Sequence, residues 1–110
     1  MNWLFIEAPE FTRRVMKFGL EQELRDLENE LIRNPKAGDV DPTVCGLRKI
    51  RLRDRGRGQG KRSGARVHYL FAPHRETIYL VFVYRKDVQK VLTTEQRDAL
   101  CRWVRAMKPA

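Results

Sequence analysis

Apolar residues recur along the chain at two different spacings, and the switch between them divides it. Trp3 to Glu7 reads as a short strand that Pro9 ends. From Glu10 the spacing becomes helical, with Phe11, Val15 and Phe18 on one face, until Gly19 interrupts it. Leu20, Leu24, Leu27 and Leu31 then mark a second helix whose other face carries Glu21, Glu23, Glu28 and Glu30. Asn34-Pro35 stops it, because a residue before proline leaves the helical region. Ala37 to Pro42, A-G-D-V-D-P, reads as a turn-rich connection.

Beyond it the period falls to two. In Leu47 to Arg53, Ile50 and Leu52 share one face while Lys49, Arg51 and Arg53 share the other. In Ala65 to Phe71, Val67, Tyr69 and Phe71 point one way, Arg66 and His68 the other. Pro73 to Glu76 makes a turn. Thr77 to Val83 is apolar at nearly every position, which suits a central strand covered on both faces. Thr93 to Gln96 has capping-box spacing and starts a last helix with Leu100, Trp103, Val104 and Met107 on one stripe. The expected order is β-α-α-β-β-β-α: an α+β fold, a mainly antiparallel sheet with helices packed on one face.

A chain of 110 residues fits a single domain, 1–110. Its apolar runs are too short to span a bilayer, and Trp3 to Ile6 has neither the basic flank nor the cleavage site of a signal peptide. No membrane role is expected. Cys45 and Cys101 lie far apart without a C-x-x-C or Cys/His cluster, so zinc and a disulfide framework are not expected. Two reduced cysteines in a leaderless chain suit the cytoplasm.

Charge changes the picture more than size does. The formal net charge is +9, and it is concentrated. Residues 1–44 hold 6 Lys/Arg against 9 Asp/Glu, residues 45–66 hold 9 against 1, and residues 67–110 hold 8 against 4. Such clustering points to a polyanion. Its focus is D-R-G-R-G-Q-G-K-R-S-G-A-R-V-H-Y, residues 54–69, where glycines alternate with cations directly before a strand. A Walker motif ending at Gly60-Lys61 fails, because Arg55 and Arg62 stand where glycine and Ser/Thr are required. A dinucleotide glycine motif fails at Ser63. The bland alternative is a solvated hairpin whose charges discourage edge-to-edge aggregation. Against it, Lys49, Arg51, Arg53 and Arg66 would share one sheet face, where like charges repel unless an anion compensates.

Three segments carry a family resemblance: G-L-R-K-I-R-L (46–52), G-K-R-S-G-A-R-V-H-Y (60–69) and V-Y-R-K (83–86). Together they resemble the RelE/HigB superfamily of bacterial toxins. N-P-K-A-G-D-V (34–40) ahead of G-L-R-K points to the HigB-type branch. The resemblance implies the toxin of a type II toxin–antitoxin pair, a ribosome-dependent endoribonuclease that cuts mRNA in the A site and so inhibits translation. It implies a metal-independent, cofactor-free reaction in which the ribose 2′-hydroxyl attacks the adjacent phosphate and leaves a 2′,3′-cyclic phosphate. The family's basic strand pair falls on Lys49 and Arg51, its next-strand arginine on Arg66 and its strand-end cation on Lys86. Preorganised cations of this kind stabilise a phosphorane-like transition state more than the ground state. Some relatives place a tyrosine shortly after the strand-end cation, and Val88 to Leu92 holds none. Tyr84, His68 and Lys49 are therefore alternatives for the general base.

Arg48, Arg53, Arg55, Arg57, Lys61 and Arg62 are the expected RNA-binding cations. The implied partners are a cognate antitoxin, of helix-turn-helix type, together with mRNA and the ribosome; operator DNA would be reached only through the antitoxin. Two other functions compete: a ParE-like gyrase inhibitor without a nuclease centre, and a non-catalytic RNA-binding module.

Overall fold

A computed structural model describes residues 2–52 and 64–107. Its elements are β1 (Leu4–Glu7), α1 (Pro9–Phe18), α2 (Glu21–Arg33), β2 (Asp39–Asp41), β3 (Leu47–Leu52), β4 (Ala65–Ala72), β5 (Thr77–Arg85) and α3 (Thr94–Met107). Short 3-10 turns at Pro42–Val44 and Pro73–Arg75 link β2 to β3 and β4 to β5. The strands form one sheet in the order β1-β5-β4-β3-β2. Among the described residues only the β1–β5 pair is parallel. The fold is α+β with a mainly antiparallel sheet, as the sequence pattern leads one to expect.

Local chemistry accounts for the first half. Pro9 opens α1, where its missing N–H costs nothing. Gly19 closes it at φ +66°, and the N–H groups of Gly19 and Leu20 return to the carbonyls of Met16 and Val15. An L side chain would strain that left-handed position. The second helix starts at once, so α1 and α2 lie side by side on the sheet. Phe11, Val15, Leu20, Leu24, Leu27 and Leu31 meet Leu52, Ala65, Val67, Tyr69, Ile78, Leu80 and Val83 in the main core. Each fully buried aliphatic or aromatic side chain there contributes about 1.5–3 kcal/mol relative to exposure.

The alternate residues of β5 serve a second cluster. Tyr79, Val81, Phe82 and Tyr84 pack with Val44, Leu47, Leu70 and Leu92, and with Leu100, Trp103 and Val104 of α3. A register shift between His68 and Tyr69 leaves Val81 without a partner in β4, so Val81 and Phe82 both serve this cluster. As its composition suggests, β5 is covered on both sides. At the start of α3, the Thr93 Oγ1 accepts from the Gln96 N–H at 3.1 Å. The Gln96 Oε1 accepts from the Thr93 N–H at 3.0 Å, completing the capping box.

Two sequence expectations are corrected. Asp39–Asp41, read as connection, is a strand: Asp39 pairs with Lys49 and Asp41 with Leu47. Three residues are too few to show a period, and edge pairing supplies their hydrogen bonds. Cys45 and Cys101, expected to be reduced, form a disulfide with their Cα atoms 5.4 Å apart. Sequence spacing hid the pair because its proximity is tertiary: α3 packs over the Pro42–Val44 turn that ends at Cys45.

Candidate active site: a basic cleft on the sheet

Antiparallel pairing places two rows of side chains on one face. Arg51 stands opposite Arg66, and Arg66 opposite Tyr84. One step along, Lys49 stands opposite His68, and His68 opposite Phe82. Over these rows opens a cleft of about 350 Å³, lined by Lys49, Arg66, His68, Tyr84, Lys86 and Arg97 with Asp41 at its wall. The side chains come from several elements, Arg66 and His68 both from β4. Lys86 follows β5 directly, and its N–H is held by the Gly64 carbonyl at the start of β4. Gln89 donates to Gln96 Oε1 at 2.8 Å, tying the segment with Lys90 to the first turn of α3.

At the base of the cleft lies His68, with no exposed surface. Its Nε2 is 3.4 Å from Asp41 Oδ2, and its Nδ1 has no hydrogen-bond partner among the described residues. Burial lowers the His68 pKa, and Lys49 adds to that; the Asp41 carboxylate offsets only part. Asp41 loses solvation too, but the Thr43 hydroxyl and N–H together with His68 hold its pKa below the usual carboxylate value. Near neutral pH the pair is a neutral imidazole beside an ionised carboxylate.

The Tyr84 pKa is raised by burial, against the opposing pull of Arg66 and Arg97. Its phenol therefore stays protonated at neutral pH. Burial also lowers the Arg66 pKa, helped by Arg51, without approaching neutrality for a guanidinium. The cleft thus combines fixed cations and a protonated phenol above a buried neutral imidazole. That set can hold an anion and exchange a proton with it.

Of the sequence-selected residues, Lys49, Arg66, His68, Tyr84 and Lys86 come together here. Arg51 is beside Arg66 in register but does not line the cleft. Arg48 points to the other face, where its Nη1 donates to the Gly38 carbonyl at 2.7 Å and braces the turn before β2. Arg53, Arg55, Arg57, Lys61 and Arg62 lie outside the described residues. Sequence reasoning missed Asp41, Thr43, Lys90 and Arg97. For Arg97 a signal existed, since it falls on the same stripe as the buried Leu100 and Val104. Asp41 gave none, being one polar residue in a turn-like run.

Among the described residues no group of three or more His, Cys, Asp or Glu could hold a metal ion, and no helix is long and apolar enough to cross a membrane. No protein-family model matches the chain, so the resemblance to RelE/HigB toxins rests on the residues quoted for it.

Proposed function

We propose that this protein is a RelE/HigB-type toxin that cleaves mRNA on the ribosome. The observation that carries the reading is the convergence of Lys49, Arg66 and Lys86 with His68 and Tyr84 in one cleft, from three strands and a strand end. In this reading Arg66 and Lys86 stabilise the charge that gathers on the phosphate oxygens as the 2′-oxygen attacks phosphorus. The P–O5′ bond breaks, leaving a 2′,3′-cyclic phosphate and a 5′-hydroxyl. His68 is neutral and so chemically suited to take the 2′-hydroxyl proton, but its ring has no exposed surface and substrate would have to uncover it. The protonated Tyr84 phenol suits proton delivery to the departing 5′-oxygen. Lys49 stays the alternative base. A non-catalytic module that stacks single-stranded bases fits less well, because stacking needs an open ring face and the Tyr84 ring is buried. The same burial leaves only an edge of Tyr84 on the cleft for proton transfer.

The same proposal extends to the partners: a helix-turn-helix antitoxin, mRNA in the ribosomal A site, and operator DNA through the antitoxin. It places the protein in the cytoplasm with the translating ribosomes; the Cys45–Cys101 bond removes reduced cysteines as a reason to expect that compartment. The test is brief induction followed by mapping of mRNA 5′ ends. Cuts within translated frames, with 2′,3′-cyclic phosphate termini, are expected. Intact messages in arrested cells would overturn the reading and favour a gyrase inhibitor.

A further inference from the structure

Arg97 belongs to the first turn of α3, its N–H bonded to the Thr93 carbonyl at 3.0 Å. Its side chain leaves the helix on the packed stripe and reaches the cleft wall. The Nε atom is buried and has no hydrogen-bond partner among the described residues. A buried donor without an acceptor is unfavourable, and the cleft offers few acceptors, since its lining is dominated by other cations. Lys49, Arg66, Lys86 and Lys90 line the same space. Asp41, the carboxylate of the lining, is occupied by Thr43 and His68. An anionic ligand in the cleft would supply the acceptor that Arg97 lacks.

The scaffold under Arg97 is unusually well fixed. One helical turn on, Cys101 is bonded to Cys45, and Leu100 and Val104 are buried in the second cluster. Arg97 and Arg66 line the same cleft with Tyr84, one from α3 and one from β4. A planar guanidinium held this way presents forked donors that match tetrahedral phosphate oxygens.

We propose that Arg97 is a substrate-binding residue, a second phosphate-binding guanidinium that works with Arg66 across the cleft. The identity of that phosphate as RNA rests on the function proposed above; the phosphate chemistry does not. Arg97 then makes α3 part of the binding surface and not only its support.

The test uses the intact, 15N-labelled protein, titrated with inorganic phosphate and with a 2′-O-methyl tetranucleotide that cannot be cleaved. Arginine Nε–H signals are followed by NMR, with Arg97 assigned by its loss in Arg97→Lys. A saturable shift of the Arg97 signal with both probes is expected. Arg97→Gln should weaken tetranucleotide binding about 10- to 100-fold, with partial recovery in Arg97→Lys. On programmed ribosomes the loss should appear mainly in KM. Saturable movement of the Arg66 signal with Arg97 unmoved overturns the proposal, as does a cleft in which neither moves. Phosphate binding through Arg97 without ribosomal cleavage supports the anion site and removes the endonuclease reading. The wild-type titration decides even if Arg97→Gln fails to fold.

Discussion

The His68 imidazole stacks on the Tyr84 ring, with centroids 6.1 Å apart and 22° between the planes. A buried, stacked ring with Lys49 nearby resists protonation. Its folded pKa lies below the ordinary 6.5, so the unfolded chain binds the proton more readily. The stability this group contributes is complete above pH 6.5 and is lost as pH falls through the lowered value. Asp41, also lowered, acts in the same direction but only below its ordinary 3.8. Thermal melts should therefore show wild type losing stability from about pH 6.5 towards pH 5, and His68→Gln losing less over that interval. Parallel curves for the two proteins would contradict this.

Arg66→Ala should leave the fold in place, because Arg66 is on the cleft side while Val67 and Tyr69 fill the core. Cleavage should fall by about 10²–10³-fold, the usual cost of one transition-state donor. Growth arrest on induction of a folded Arg66→Ala protein would contradict the role assigned to it.

Tyr69 holds the turn before β2. Its hydroxyl donates to the Pro35 carbonyl at 2.8 Å and accepts the Gly38 N–H at 2.9 Å. Tyr69→Phe should cost about 1–3 kcal/mol in urea unfolding, since it leaves both backbone groups without that partner. Gly38→Ala should be comparably harmful. A Cβ there would come within 2.9 Å of both the Lys49 carbonyl oxygen and the Tyr69 ring.

The basic segment has its own test. Replacing Arg55, Arg57, Lys61 and Arg62 together should weaken RNA or ribosome binding and flatten its salt dependence. The log–log slope should change by about 0.7 for each phosphate that is no longer neutralised. An unchanged slope would make the segment a solvated hairpin.

Regular patterning made much of this fold legible. The helical spacing of Leu20, Leu24, Leu27 and Leu31, the alternation of Val67, Tyr69 and Phe71 and the Thr93–Gln96 box all express local rules, and each holds. Cations selected by motif also converge, because strand register places Lys49 and Arg66 on one face. Pairings decided across the fold were not legible. Asp41 meets His68 only because a three-residue edge strand forms, and Cys101 meets Cys45 only because α3 crosses the turn after it. Arg48 shows the same limit within one motif: it neighbours Lys49 in sequence, yet alternation sends it to the opposite face.

The Cys45–Cys101 bond closes a covalent ring around β3, β4, β5 and the start of α3, with the basic segment 53–63 inside it. Trypsin cuts after lysine and arginine, and that segment supplies both. A molecule nicked there stays in one piece on a non-reducing gel and separates into two bands once reduced. The broken ends remain anchored by strand pairing between β3 and β4 as well as by the bond. Lys49 and Arg66, on either side of such a cut, would keep their places in the cleft, and the protein could lose its basic segment as a continuous chain without coming apart.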